Sequence, residues 1–207
     1  FNILNLTMLK CKNINISLKT KKLISNFNIS IYHNEIWTLM APSGSGKSTL
    51  LKYILGNKES DFSYNGDLYL NEIQINSKSI SDRDISMIFQ NDLLFPHMTI
   101  IQNLNFVNKS NNLKAIDLLK ENKLDHIANS MPDKISGGEK SRVLLIRVLL
   151  LETSVILLDE PFNGLDTETK FKTKDFFNKN LLKFNKIALM VTHNEDDVID
   201  NKKILNL

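Results

Sequence analysis

Hydrophobic and polar residues alternate along Met8–Ile16 and again along Ser25–Ile31, the period of strands with one buried face. Thr20–Lys22 reads as the turn that joins them into an antiparallel pair, and Tyr64–Ile75 repeats the alternation. Three further segments, Ile36–Met40, Val155–Leu158 and Ile187–Val191, are short continuous apolar runs, the pattern of strands covered on both faces in a parallel sheet. Between the runs lie segments of helical period: Lys47–Leu55, Gly138–Glu152 and Thr167–Phe184, the last setting Phe171, Phe176, Phe177 and Leu181 among lysines. Strands alternating with helices predict an α/β fold with a parallel-sheet core, here accompanied by a small antiparallel β subdomain. From about Pro96 to Lys134 the pattern breaks into short helical pieces, such as Leu113–Asn122, separated by Asn-rich polar stretches. We read residues 96–136 as a small helical subdomain inserted into that core, within a single domain over residues 8–207. Phe1–Thr7 precedes Met8 and is set aside as upstream or non-native sequence.

Composition narrows the function classes. With 42% hydrophobic and 24% charged residues in 207, the chain has enough apolar matter for a core, which excludes wholesale disorder, a collagen repeat and a long coiled coil. The longest apolar run, Val143–Leu151, is broken by Arg147 and falls short of the ~18 residues that a spanning helix requires, so no membrane span is expected. Cys11 is the only cysteine, so neither an internal disulfide nor a cysteine metal site can form; Cys11 reads as a small core residue in a reducing compartment. No basic stretch followed by a long apolar one opens the chain, and no secretory signal is expected. The net charge of +3 is small, its basic residues are scattered, and Arg83, Arg142 and Arg147 are the only arginines, so a nucleic-acid partner is not expected.

The candidate chemistry starts where the run Ile36–Met40 meets Ala41-Pro42-Ser43-Gly44-Ser45-Gly46-Lys47-Ser48-Thr49. A Gly-rich loop after a buried strand and before a helix curls backbone N–H groups around phosphates, and the helix N-terminus adds its positive dipole end. Lys47 would reach the β- and γ-phosphates, and the Ser48 hydroxyl would ligate Mg²⁺. The usual pattern places glycine where Ala41 stands, which alanine satisfies only with a negative φ. An ordinary strand-to-helix turn would need neither the lysine nor the flanking hydroxyls. The loop by itself is shared by kinases, GTPases, helicases and transporter motors.

Val155–Leu158 ends in Asp159-Glu160, which sets Asp159 at the carboxyl end of a strand, where open α/β sheets bind ligands. Asp159 is suited to hold Mg²⁺, and Glu160 to polarise an attacking water as general base. A strand ending in acids at a solvated turn is the commoner reading of such a pair alone; the phosphate loop upstream reverses that preference.

Further motifs carry a resemblance. Ile135-Ser136-Gly137-Gly138-Glu139 resembles the signature of ATP-binding-cassette (ABC) ATPases, commonly Leu-Ser-Gly-Gly-Gln; Gln90 resembles the Q-loop glutamine, Gly164-Leu165-Asp166 the D-loop and Thr192-His193 the switch histidine. Together with the phosphate loop and Asp159-Glu160 they stand in the family's order and cover nearly the whole chain from Met8. Leu94-Phe95-Pro96-His97-Met98-Thr99 is similar to a stretch common in metal, polyamine and thiamine importers, and Asn129–Lys134 lacks the Gly-Glu-rich segment of fused exporter motors.

The resemblance implies an ATPase motor of a bacterial importer, peripheral on the cytoplasmic face of the plasma membrane. Its partners would be a second copy of the motor, integral membrane permease subunits and an extracytoplasmic substrate-binding protein. In such a dimer each ATP is held between the phosphate loop of one copy, Ser43–Thr49 with Lys47, and the signature Ser136, Gly137 and Gly138 of the other, with Asp166 lining the seam. The signature's own chemistry agrees, because a serine hydroxyl, two glycines and a helix start suit a γ-phosphate, although Ser-Gly-Gly alone is an ordinary helix cap. The implied catalytic set is Glu160, His193, Lys47 and Gln90; the implied Mg²⁺ set is Ser48, Gln90 and Asp159. Phe95, Pro96 and Met98 would line the groove that receives a membrane subunit, or pack within the helical insert. Two departures stand out: Leu18 occupies the position of the aromatic residue that usually stacks on adenine, and Asn163-Gly164 replaces the frequent Ser-Ala. An efflux or lipoprotein-release motor and a non-transport ABC ATPase are the alternatives, the latter without its coiled-coil insertion or second cassette here. The end at Leu207, soon after His193, leads to the expectation of no C-terminal regulatory domain.

Overall fold

A computed structural model describes residues 8–89, 94–108 and 115–207. In chain order the strands are β1 (Met8–Leu18), β2 (Lys21–Tyr32), β3 (Ile36–Met40), β4 (Phe62–Leu70), β5 (Ile73–Gln74), β6 (Ile85–Ile88), β7 (Val155–Asp159), β8 (Ile187–Thr192) and β9 (Ile204–Asn206). The α-helices are α1 (Lys47–Leu55), α2 (Ile100–Val107), α3 (Ala115–Glu121), α4 (Gly137–Leu150) and α5 (Thr167–Lys183). The chain divides into two compact units: one runs up to Met87 and adds Thr153–Asp159 and Asn185–Leu207, the other comprises Ile88–Glu152 and Glu160–Phe184.

The first unit carries two sheets. The antiparallel one has the order β2-β1-β4-β5 and the other β6-β7-β8-β3-β9. In the second sheet β7, β8, β3 and β9 run parallel, with Leu157 opposite Leu189 and Leu39 opposite Val191. Every residue of β7 and β8 is buried, which is why their sequence reads as unbroken apolar runs rather than alternation. In β1 the alternation is interrupted where Lys12 and Asn13 both face solvent, and the pairing with β2 shifts register between Cys11 and Ile14. Cys11 itself is buried, and desolvation pushes its thiol up to about 12.

The strands outrun the alternation pattern, β1 reaching Leu18, β2 spanning Lys21–Tyr32 and β4 starting at Phe62, and two turns fall elsewhere than the pattern sets them. The first turn is Lys19-Thr20, not Thr20–Lys22: Lys19 takes the left-handed φ of 52°, and Lys21 and Lys22 already pair with Leu18 and Ser17. The segment Tyr64–Ile75 is two strands, because Asn71 and Glu72 both adopt positive φ and fold β5 back on β4.

Helix α1 leaves the phosphate loop and ends at Gly56, whose φ of 104° closes the helix with bonds back to Lys52 and Tyr53. Its last carbonyls also receive Arg83, which is 1% exposed and donates to Tyr53 O (3.2 Å), Ile54 O (2.9 Å), Asn76 O (3.0 Å) and Lys78 O (3.1 Å).

In the second unit α4 is the central element, with Val143–Ile146 and Val148–Leu150 buried and α2, α3 and α5 each packed against it. Thr99 and Gln102 form a reciprocal cap at the start of α2. Asn103, fully buried, donates to the carbonyls of Phe95, Met98 and Thr99 and so ties the preceding loop to that helix. No helix among the described residues is long and apolar enough to cross a membrane.

Candidate active site

The parallel strands end at one edge, and register decides what meets there. Met40, the last residue of β3, stands opposite Thr192, the last of β8, while Asp159, the last of β7, stands opposite Val191. The loop after β3, the pair Thr192-His193 and Asp159 therefore leave the C-terminal edge of three adjoining strands, the edge at which α/β sheets hold ligands.

The loop Ala41–Gly46 is built for a phosphate. Gly44 and Gly46 have φ of 78° and 94°, so only glycine sits there without strain, while Ala41 is not among the residues of positive φ. A Cβ on Gly44 would meet nothing within 4 Å, which leaves that side of the loop open, whereas one on Gly46 would lie 3.0 Å from Leu23 Cβ. Gly46 caps α1 without a side-chain acceptor, so the first N–H groups of the helix are not capped from that position. Lys47 is 6% exposed, and its Nζ donates to Ala41 O at 2.6 Å and Pro42 O at 2.8 Å, which curls the loop around its ammonium. Ser43 and Gly44 are exposed, Ser45, Ser48 and Thr49 half-buried, and Ser45 Oγ is a buried oxygen with no partner among the described residues. Orphaned donors, an uncapped helix start and a buried cation fit a polyphosphate; the Ser48 hydroxyl and the Asp159 carboxylate are hard oxygen donors, the chemistry Mg²⁺ takes.

Beyond β8 the chain makes a tight turn. Thr192 is fully buried; its Oγ1 donates to Asp197 Oδ2 at 2.7 Å and accepts the Asn194 N–H at 3.1 Å, and its carbonyl accepts the Ala41 N–H at 3.4 Å. His193, between them, is exposed. Beyond β7, Asp159 is 7% exposed, and Glu160 takes a φ of 49°, which for a non-glycine residue marks stored backbone strain. The Glu160 carbonyl accepts the Asn163 N–H at 3.2 Å, so the strain accompanies a tight turn.

The second unit holds the remaining motifs. Ser136 is the N-cap of α4: its Oγ accepts the Glu139 N–H at 3.2 Å, while its own N–H and hydroxyl both donate to Glu139 Oε2 at 2.8 Å. These bonds, the backbone one first and the hydroxyl second, hold the Glu139 carboxyl below its usual range against some desolvation, and His126 Nε2 lies 3.2 Å from its other oxygen. Asp166 caps α5 through the Thr169 N–H at 2.9 Å, and that side-chain and backbone bonding to Thr169 lowers its pKa. A Cβ on Gly138 would lie 3.3 Å from Leu165 Cδ2, so the two motifs pack together. Ser136, Gly137 and Asp166 are all exposed.

Ser43–Thr49, Asp159 and His193 thus gather in the first unit, and Glu160, Ser136, Gly137, Gly138 and Asp166 belong to the second. Gln90, expected as both a catalytic and a Mg²⁺-binding residue, lies outside the described residues. Leu18 is half-buried opposite Phe62 of β4. Phe95 packs edge-on against Phe106 (5.0 Å between centroids) and under Arg147 (5.0 Å), inside its own unit, while Pro96 is exposed. Asp197 had no part in the sequence reading; the only signal for it was an acidic triplet, Glu195–Asp197, close behind a histidine.

Comparison with known proteins gives a consistent picture. The profile of the family described as ABC transporter matches residues 24–163. The chain is 32% identical over 206 residues to the "Uncharacterized ABC transporter ATP-binding protein YnjD" of Escherichia coli, covering 97% of this chain and 95% of that protein. It is also 32% identical over 184 residues to the "Fe(3+) ions import ATP-binding protein FbpC" of Fusobacterium nucleatum, covering 86% of this chain but 49% of that longer protein. In fold it superposes on the crystal structure of a nucleotide-free ATP-binding cassette from an ABC transporter with a TM-score of 0.77 at 21% identity, over 97% of this chain and 87% of that one.

Proposed function

Because the chain belongs to the ABC transporter family, whose ATP-binding domains hydrolyse ATP to power transport, we propose that it is the motor of an importer acting through separate membrane permease subunits. The observation that carries the reading is the shared edge of β3, β8 and β7, where a phosphate loop, His193 and Asp159 emerge from adjoining, in-register strands. Import is supported by the iron-import relative, which is 32% identical over 86% of this chain.

In this mechanism the loop N–H groups of Ser43–Gly46, the start of α1 and Lys47 bind the β- and γ-phosphates of ATP, with Thr49 beside them. Ser48 and Asp159, joined by Gln90, would hold Mg²⁺, which would neutralise charge on the phosphates. Glu160 accepts a proton from water as the water oxygen bonds to the γ-phosphorus and the bond to the bridging oxygen of ADP breaks. His193 contacts the γ-phosphate. A second copy of the chain completes each site with its Ser136, Gly137 and Gly138, and its Asp166 lines the seam. The complex sits on the cytoplasmic face of a bacterial plasma membrane, with a substrate-binding protein on the far side choosing the cargo.

Replacing Glu160→Gln tests this directly. Steady-state hydrolysis is expected to fall by at least about 100-fold, the lower bound for loss of a general base. The same variant is expected to elute as an ATP-bound dimer in size-exclusion chromatography. Unaltered turnover would remove Glu160 from the mechanism.

A further inference from the structure

We propose that Asp197 is a positioning residue for His193, acting through the Thr192 hydroxyl; this rests on the reading of His193 as a γ-phosphate contact. Three contacts converge on Thr192. Its carbonyl takes the N–H of Ala41 at the mouth of the phosphate loop, its hydroxyl takes the N–H of Asn194, and the hydroxyl proton goes to Asp197. The hydroxyl accepts the Asn194 N–H on a lone pair and donates its one proton to Asp197 Oδ2 at 2.7 Å. Charge-assisted bonds of this length are the strong ones.

The consequence falls on the residue in between. Thr192 and Asn194 flank His193, and one buried hydroxyl joins both to the carboxylate. The turn that returns Asp197 to the strand end is itself pinned: the Asp197 N–H donates to Asn194 O at 3.1 Å, and the Asp196 N–H to Asn194 Oδ1 at 3.0 Å. Asp197 is 4% exposed while His193 stands in solvent, so the carboxylate orients the backbone on both sides of an exposed side chain. Without it the hydroxyl can rotate, the Asn194 N–H loses a fixed acceptor, and the imidazole leaves the line that the β8 edge sets. A displacement of about 1 Å is enough to cost up to about 100-fold in rate.

A double-mutant cycle on the full chain separates positioning from simple stabilisation. Asp197→Ala is expected to lower kcat for ATP by about 10- to 100-fold, with KM changed less than about twofold. In a His193→Ala background the same substitution should lower kcat by less than about twofold further, because residues that act as one unit are not additive. Thr192→Val, which removes the hydroxyl at constant shape, should reproduce the loss, and Asp197→Asn, which keeps an acceptor, should retain at least about half of turnover. Equal factors for Asp197→Ala in both backgrounds, or full turnover in Thr192→Val, would overturn the proposal. If His193→Ala itself left kcat unchanged, the reading of His193 would fail first, a result distinguishable from a failure at Asp197 alone.

Discussion

Arg83 is the residue whose part is least apparent from its neighbours in sequence. Its guanidinium is buried against the end of the phosphate-loop helix and spends its donors on four backbone carbonyls, two of them, Tyr53 and Ile54, from the last turn of α1. Burial pushes its pKa below the usual arginine value, opposed only by the Tyr53 hydroxyl, and it remains a cation at the negative end of the helix dipole. Replacing Arg83→Met should leave those carbonyls unpaired and lower the unfolding free energy by about 3 kcal/mol, read from the urea midpoint. Arg83→Lys should recover only part, since an ammonium cannot fork between carbonyls. A midpoint unchanged in Arg83→Met would show that solvent satisfies the helix end equally well. Among so many lysines an isolated arginine carries no periodicity, so nothing in the pattern announces this role. The same holds for the positive φ of Glu160, which follows from the turn after β7 rather than from residue type. Lys47, by contrast, was legible, because its place in a glycine-rich loop restricts what a lysine can do; its two carbonyl partners were not.

Among the elements, β3, α1 and the parallel strands follow the hydrophobic pattern closely, with α1 matching Lys47–Leu55 at both ends, because strands buried on both faces leave continuous runs and the loop glycines mark the helix start. Short elements left no such trace: β6 has four residues, β9 three, and both depend on neighbours distant in sequence for their pairing. The helix α2 was signalled only by Thr99-x-x-Gln102, the same cap form as Ser136-x-x-Glu139. At the second of these caps the folded Glu139 carboxyl lies below its usual value, so its contribution is present above the unfolded pKa of about 4.3 and is lost as pH falls through the folded one. Glu139→Ala should therefore destabilise the chain by about 1 kcal/mol at neutral pH, and the difference in melting temperature from wild type should shrink below about pH 4. A difference that persisted undiminished to acid would mean that the charge plays no part in the cap.

For the whole molecule, the phosphate loop, Asp159 and His193 belong to the first unit and the signature to the second, and the proposed chemistry calls on the signature of a second copy. The chain spans 95% of its Escherichia coli relative and about half of the iron-import one, so the cassette itself is the common part. In the proposed reading the motor meets nucleotide, a second copy and a membrane subunit, so cargo selects none of its residues. The most direct test of the central claim is to purify the Glu160→Gln chain with ATP and Mg²⁺ from detergent-solubilised membranes of its source organism, and to identify by mass spectrometry what accompanies it in stoichiometric amount. A multi-spanning permease is the predicted result. Recovery of ribosomal or DNA-associated proteins alone would leave an ATPase and contradict a transport motor.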